Sequence, residues 1–230
     1  MRVVIFGATG LVGYGALHES LRDERVTHVL AVGRRSTGLS HPKLTELVRR
    51  EPFEPPFDWS ALQDAVSGYD ACFFCLGVSA AGMSETDYTR TTYDLTLAAA
   101  TALARQNPGM VFVYVSGAGT DSTERGRAMW GRVKGRTENA LLRLPFRAAY
   151  MFRPAGIQPV DGAQPGNALY RRVYAVLAPV WPVLRRLFPT MVVTTAELGR
   201  AMLRVARGGF PRPVLERGDI AALARPTRGP

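Results

Sequence analysis

The sequence predicts an α/β fold, in which a doubly wound parallel sheet carries helices on both of its faces. Strand and helix signals alternate along the chain, and this alternation is the pattern of such a sheet. The first strand, Val3 to Phe6, is an uninterrupted β-branched and aromatic run, as expected of a strand buried on both faces. A glycine-spaced turn follows it directly and opens the first helix.

The other elements are predicted from apolar runs for strands and from helix-favouring composition for helices. Around Thr92 to Arg105 the chain is rich in alanine, which favours a helix. Leu44 to Arg49 gives the weakest of the strand signals. The remaining predictions are strands at Val26 to Val32, Ala71 to Leu76, Met110 to Ser116 and Arg147 to Phe152, helices at Leu11 to Arg22, Trp59 to Val66, Gly126 to Leu144 and Thr195 to Ala206, and a late strand at Val214-Leu215 with a turn at Ile220.

The turn after the first strand carries Gly7, Gly10 and Gly13 at a spacing of three and three. In this context the first glycine allows a sharp turn, the second lets a pyrophosphate approach, and the third lets the helix lie close to the sheet. The free N–H groups and the dipole at the start of that helix favour negative charge. The sequence therefore predicts a Rossmann-type dinucleotide site, with Gly7, Thr9, Gly10, Leu11, Val12 and Gly13 around the phosphates.

The residues after the second strand indicate which dinucleotide is bound. NAD-binding proteins carry an acidic residue about twenty positions after the glycine motif, whereas here Gly33 is followed by Arg34 and Arg35. A carboxylate repels a 2′-phosphate, and a guanidinium binds it through hydrogen bonds worth about 1.5–3 kcal/mol each. We therefore expect NADP(H) to be preferred over NAD(H). The alternative is that both arginines are solvated surface charges.

The length of 230 residues and the hydrophobic content of 47% predict one domain with one substantial core. We divide it into a Rossmann core, residues 1–158, and C-terminal elements, residues 159–230, that form a small substrate cap. The longest apolar stretch, Val173 to Leu184, is interrupted by two prolines and is too short to span a bilayer. Because the chain runs straight into its first strand, it leaves no room for a signal peptide. These features predict a soluble cytoplasmic protein.

The net charge of +10 raises the possibility of a nucleic-acid partner. Of the 29 basic residues only Lys43 and Lys134 are lysines, which leaves 27 arginines as scattered singles and pairs. No nucleic-acid-binding motif accompanies them, so we expect no nucleic-acid partner.

Two further patterns point to no separate chemistry. Cys72 and Cys75 are three apart in a predicted strand, so they face opposite sides, about 10 Å apart along it, beyond disulfide reach. We expect both to be small core residues. The three histidines have no metal-ligand spacing, and we expect no metal site.

A serine follows the fifth strand in Tyr-Val-Ser116-Gly-Ala-Gly, and the next helix carries Trp130-Gly-Arg-Val-Lys134-Gly-Arg-Thr-Glu138. Together with Gly-Ala-Thr-Gly-Leu-Val-Gly, Cys75-Leu-Gly77 and Phe-Arg153-Pro154, these residues resemble the atypical short-chain dehydrogenase/reductases, in the branch with Tat-interacting-protein-like members. The resemblance covers roughly residues 1–158 and, more loosely, Thr194 to Ile220. It implies further cofactor contacts from Leu76, Gly77, Ser116, Lys134 and Pro154. It also allows a homodimer, since many relatives dimerise.

The resemblance implies a catalytic tyrosine four residues before a lysine that holds the nicotinamide ribose. Lys134 matches that lysine, but Trp130 stands at the tyrosine position. Indole does not titrate near neutral pH and cannot transfer a proton, so the usual acid/base mechanism does not carry over to position 130. Tyr88, Tyr93, Tyr170 and Tyr174 are candidate substitute acids, each with the alternative of a packing role.

Two hypotheses remain open at this point. In the first, the protein is an NADPH-dependent oxidoreductase of a small carbonyl-type substrate, with Ser116 and Lys134 in the site and Tyr170 and Trp181 in a lid. In the second, it is a non-catalytic NADPH-binding sensor, scaffold or assembly factor. Trp130 favours the second, whereas Lys134 and an apolar C-terminal segment favour the first. The basic aromatic segment Tyr170 to Phe188 is assigned to the lid, with a partner surface or a weak membrane contact as alternatives.

Overall fold

The computed structural model describes residues 1–50, 53, 57, 59, 64–163, 180, 181, 186, 187 and 190–225. Over these residues the main sheet has seven parallel strands, which are β1 Arg2–Phe6, β2 His28–Gly33, β3 Leu44–Val48, β4 Ala71–Phe74, β5 Val111–Val115, β6 Ala148–Arg153 and β9 Val214–Glu216. Their order across the sheet is β3-β2-β1-β4-β5-β6-β9. The change of direction between β1 and β4 confirms the predicted doubly wound sheet.

Helices cover both faces of this sheet. They are α1 Leu11–Arg22, α2 Glu85–Thr89, α3 Leu95–Gln106, α4 Met129–Leu141, α5 Thr195–Gly208 and α6 Arg217–Ala224. One core lies between the sheet and α1, α5 and α6, and the opposite core lies under α3 and α4. Along β1 the side chains alternate between the two cores, with Val3 and Ile5 in the first and Val4 and Phe6 in the second.

Most predicted elements are present within a few residues of their expected ends, and α1 has the predicted ends. The helix expected from Gly126 begins only at Met129. The Asp121 carboxylate accepts hydrogen bonds from the backbone N–H groups of Arg125 and Gly126, at 2.9 and 2.6 Å, and this keeps the preceding segment in a loop. The hydrogen bond from the Thr123 hydroxyl, together with these backbone bonds, lowers the pKa of Asp121 to about 2.

The helix expected near Thr92 starts earlier than predicted. Ser84 caps α2, accepting a hydrogen bond from the Asp87 N–H, and a π-helical turn at Arg90–Asp94 joins α2 to α3. The serine and the aspartate three positions later are an N-terminal signal that the prediction did not use. The helix expected at Trp59 to Val66 lies largely outside the described residues, and residues 64–66 form a turn.

The C-terminal part extends the sheet more than the prediction of a substrate cap allowed. β9 pairs with β6 as the seventh strand, and α5 packs against α1. The turn expected at Ile220 is the helix α6, capped by Glu216 and Asp219. A small second sheet, β7 Gly156–Gln158 with β8 Val192–Thr194, was not predicted. The lid segment lies mostly outside the described residues, although Trp181 is buried.

Both cysteines lie in or against a core, as predicted. Cys72 belongs to the core under α3 and α4, whereas Cys75 packs against the opposite core. Burial raises the pKa of both thiols well above the ordinary range, so they remain protonated. No described helix is long and apolar enough to cross a membrane.

The contact between α1 and α5 is close enough to test. We expect Gly15→Ala to lower the free energy of unfolding by about 1–3 kcal/mol, because its Cβ would lie 2.3 Å from the Thr195 carbonyl oxygen. Urea unfolding followed by circular dichroism measures this loss. Gly208→Ala is the matched control, since this helical glycine has no atom within 4 Å of an added Cβ. Equal losses in the two variants would contradict the packing role of Gly15.

Candidate functional site

The glycine turn after β1 has no room for a side chain at Gly7 or Gly13. Gly7 has a positive φ of 78°, and a Cβ there would lie 3.0 Å from the Cys75 carbonyl carbon and oxygen. A Cβ on Gly13 would lie 2.1 Å from the Gly7 carbonyl oxygen. The first turn of α1 is thereby held directly over the end of the sheet.

The start of α1 is free to bind an anion. Its N-cap residue is Gly10, no side chain accepts a hydrogen bond from the first turn, and that turn contains no acidic residue. Exposed N–H groups and the positive end of the helix dipole suit a phosphate. The turn therefore fits a pyrophosphate in both space and hydrogen-bond donors.

A cleft of about 440 Å³, open solvent included, joins this turn to the end of β2. Arg34 and Arg35 line it, and both side chains are exposed. Neither guanidinium forms an ion pair or hydrogen bond with a described residue. The cleft lining is Gly7, Ala8, Thr9, Ala31, Val32, Gly33, Arg34, Arg35, Thr37, Phe53 and Leu76.

Glu46 on β3 holds the loop that follows the two arginines. Its carboxylate accepts hydrogen bonds of 2.6 Å from both the Ser36 hydroxyl and the Thr37 backbone N–H. Partial burial raises the pKa of Glu46, but these hydrogen bonds outweigh it and leave the pKa below its usual value. Sequence reasoning missed Glu46, because its link to this loop depends on the register between β2 and β3.

The loop after β5 brings Ser116 to the same edge of the sheet. Ser116 is 8% exposed, and its backbone N–H donates to the Phe152 carbonyl at 2.8 Å. Its hydroxyl lies 2.9 Å from that of Thr120, which itself donates to the Gly117 carbonyl at 2.8 Å. Because Thr120 has a single hydroxyl proton, Ser116 is the donor in their hydrogen bond. Thr120 was not identified from the sequence.

Pro154 is joined to this loop, since its carbonyl accepts a hydrogen bond of 2.9 Å from the Ala118 N–H. Leu76 lines the cleft described above, and Gly77 follows it in the loop after β4. Leu11 and Val12 lie in the first turn of α1 and are partly buried. The predicted site residues thus lie on the loops after β1, β2, β4, β5 and β6 and in the helices α1 and α4.

Trp130 and Lys134 occupy successive turns of α4. The Trp130 indole packs on Gly119, where a Cβ would lie 3.0 Å from the ring carbon Cη2. The Lys134 ammonium lies 5.4 Å from the centre of the Tyr114 ring and forms no hydrogen bond or ion pair with a described residue. Burial lowers the pKa of Lys134 to about 8, although the nearby Glu138 carboxylate acts in the opposite direction.

The Glu138 carboxylate is committed to Arg153 at the end of β6. The Arg153 guanidinium donates to both carboxylate oxygens, at 3.0 and 2.5 Å, and both residues are buried. Arg153 also contacts Glu216 at 3.1 Å and the Ser122 hydroxyl. This pair therefore joins α4, β6, β9 and the loop before α4, close to Lys134.

The candidate substitute acids differ in position. Tyr88 is 2% exposed, and burial raises its pKa. The Tyr93 ring lies under the Arg136 guanidinium at 4.3 Å. Tyr170 and Tyr174 lie outside the described residues. Among described residues no group of three His, Cys, Asp or Glu side chains could hold a metal ion.

Comparisons with known proteins agree with the resemblance of the motifs. The chain is 29% identical to Protein HTATIP2 of Rattus norvegicus over 237 residues, which span 99% of this chain and 91% of that protein. It is 28% identical to Protein FMP52-2, mitochondrial, of Scheffersomyces stipitis, over 65% of this chain and 63% of that protein. No family model matches the sequence.

The fold is similar to solved structures of distant sequence. One is a short-chain dehydrogenase/reductase superfamily protein from Agrobacterium tumefaciens with bound NAD, with a TM-score of 0.63 and 16% identity. That alignment covers 97% of this chain and 81% of the other chain. At this identity the likeness concerns the fold.

The buried pair yields a stability prediction. We expect Glu138→Gln to lower the free energy of unfolding by about 3 kcal/mol, because the Arg153 charge stays buried with only Glu216 left as an acidic partner. Chemical denaturation of both variants measures the effect. The control is Glu85→Gln, which removes the exposed α2 partner of Arg132, a residue on the same helix α4 as Glu138. For this control we expect the free energy of unfolding to fall by less than about 1 kcal/mol. Similar losses from both substitutions would contradict the special role of the buried pair.

Proposed function

The chain belongs to the atypical short-chain dehydrogenase/reductases, in the branch of Tat-interacting-protein-like members, and we propose that it is an NADP(H)-dependent oxidoreductase of small carbonyl compounds. The cleft that joins the glycine turn to Arg34 and Arg35 carries this proposal. Its lining includes the glycine turn before α1 and two exposed arginines that form no ion pair with a described residue. This combination suits a dinucleotide with a third phosphate.

We assign the pyrophosphate to the turn between β1 and α1. Its N–H groups donate, and the absence of side chains at the glycines lets the phosphates approach. The residues proposed for this part of the cofactor are Gly7, Thr9, Gly10, Leu11, Val12 and Gly13.

The preference for NADP(H) over NAD(H) rests on Arg34 and Arg35. Their guanidiniums have no described partner to displace, so a 2′-phosphate gains charge-assisted hydrogen bonds without breaking existing ones. Glu46 contributes indirectly, because it holds the Ser36–Thr37 part of the loop next to them.

The nicotinamide end is assigned to the loops after β4, β5 and β6. When bound, the reduced nicotinamide supplies a hydride. Lys134 orients the ribose through its free ammonium, and Ser116 contacts the substrate or cofactor as an acceptor. The proposed contacts in this part are Leu76, Gly77, Ser116, Lys134 and Pro154.

A non-catalytic NADPH-binding sensor, scaffold or assembly factor is the second candidate function, and Trp130 is the observation that favours it. Its indole packs on Gly119 and has no acidic group to replace the family tyrosine. A homodimer and a cytoplasmic location stay predictions, and the relative from Scheffersomyces stipitis is named mitochondrial.

The cofactor assignment is tested by titration calorimetry with NADPH and NADH. We expect the double variant Arg34→Ala, Arg35→Ala to weaken NADPH binding at least tenfold and to leave NADH binding nearly unchanged, because only NADPH has the 2′-phosphate. Arg143→Ala is the control, since it removes an exposed arginine outside the cleft. Unchanged NADPH affinity in the double variant would overturn the preference, and no binding of either nucleotide to the wild type would overturn the proposed function.

Restoring the family tyrosine tests whether the site geometry supports turnover. We expect Trp130→Tyr to raise NADPH-dependent carbonyl reduction, because it places a phenol one helical turn before Lys134. The rate of NADPH oxidation with a panel of aldehydes, ketones and quinones measures the gain. Trp130→Phe is the control without a hydroxyl. If Trp130→Tyr binds NADPH normally but gains no activity over Trp130→Phe, the geometry for catalysis is absent.

A further inference from the structure

Reduction of a carbonyl group requires a proton donor near the site, and the usual residue is replaced. Trp130 stands at that position, and the indole N–H is not acidic near neutral pH. A proton must therefore come from another group at the same edge of the sheet or from water.

The Ser116 hydroxyl is already committed as a donor. It donates to Thr120, whose own proton goes to the Gly117 carbonyl. The Ser116 oxygen can still accept a hydrogen bond, but the Ser116 hydroxyl proton is used in the hydrogen bond to Thr120.

The nearby phenols are also poor donors. Tyr114 is 1% exposed and Tyr88 is 2% exposed, so a substrate cannot reach either of them. Burial raises the pKa of both phenols, and the nearby Tyr88 phenol raises that of Tyr114 further. Both groups therefore remain protonated and enclosed.

Lys134 is a titratable group on α4, and unlike Tyr88 and Tyr114 it is partly exposed. Its ammonium has three N–H groups, and none is engaged by a described residue. The ammonium lies 5.4 Å from the centre of the Tyr114 ring on β5, and Glu138 lies one turn further along its own helix. Tyr88 of α2 is near enough to Tyr114 to affect the pKa of that phenol. Since Glu138 is paired with Arg153, its carboxylate does not hold the Lys134 proton.

We propose that Lys134 is itself the proton donor to the substrate oxygen, in the role that the missing tyrosine has in the family. This inference rests on the proposed function as an oxidoreductase. It assigns to one side chain both the orientation of the ribose and the delivery of the proton.

The protonation state of Lys134 suits this role. Desolvation lowers its pKa to about 8, and the Glu138 charge limits the shift. Below about pH 8 the ammonium form predominates and can donate, whereas above it the donor is progressively lost. A general acid works best when its pKa is near the working pH.

The carbonyl carbon receives a hydride from the reduced nicotinamide nucleotide, which is the reductant and is released in its oxidised form. The N–H bond of Lys134 breaks as the O–H bond of the alcohol forms. The neutral amine then takes a proton from water, which restores the ammonium.

The first test follows the lysines directly, without cofactor or substrate. With ¹³C-labelled lysine, the chain shows only two lysine side chains in an NMR titration, Lys43 and Lys134. We expect the Lys134 signal to titrate near pH 8. The Lys43→Arg variant identifies the other signal, whose ammonium donates to the Leu21 and Asp23 carbonyls. A Lys134 midpoint above pH 10 would overturn the proposal.

The second test measures NADPH binding and single-turnover reduction of the same carbonyl panel between pH 6 and 10. We expect the wild-type rate to fall about tenfold per pH unit above pH 8. The Lys134→Arg variant retains a positive charge for the ribose but is a very weak acid, so we expect the rate to fall about a hundredfold or more with NADPH binding within a few-fold of wild type.

The outcomes separate this inference from the proposed function. No NADPH binding by the wild type would overturn both. Intact binding without turnover, turnover independent of pH, or full activity of Lys134→Arg would overturn the role of Lys134 and leave the nucleotide site standing.

Discussion

The close contact of Gly13 with the Gly7 backbone, which leaves no room for a Cβ at Gly13, governs the arrangement of the first strand, turn and helix. A single Cβ at Gly13 would lie 2.1 Å from the Gly7 carbonyl oxygen, so α1 could no longer start against the end of β1. Because α1 also packs closely on α5, a displaced α1 would disturb the core on that face of the sheet. The same close contact leaves the N–H groups of α1 open at the sheet edge, where a phosphate can reach them.

Two separate arrangements of charge sit at that edge. After β2, Arg34 and Arg35 are exposed and form no ion pair with a described residue, which leaves their charge available to a ligand. At β6 the Arg153 guanidinium is buried and bound by Glu138, Glu216 and Ser122, which makes it part of the framework. Exposure and pairing thus distinguish the arginines to which we assign a ligand from the arginine that holds the framework together.

Lys134 shares burial with Arg153 and the lack of a described ion-pair partner with Arg34 and Arg35. It is largely surrounded by protein, yet no described group neutralises it, because the nearest carboxylate is bound to Arg153. Burial without a neutralising partner lowers the pKa of an ammonium group. Trp130 stands where the related proteins have a tyrosine, and our proposal assigns the proton-donor role of that tyrosine to Lys134.

The sequence by itself determined the alternation of the main strands and helices, the glycine turn, the opposite faces of the two cysteines, and the Trp130 to Lys134 spacing. These features depend on side-chain period and backbone freedom within a few neighbouring residues. The tertiary structure alone decided that β9 joins the sheet, that Glu46 holds the arginine loop, that Glu138 pairs with Arg153, and that Ser116 donates to Thr120. Most of these contacts join residues that are distant in the chain, and all depend on strand register or loop conformation, which local composition does not encode.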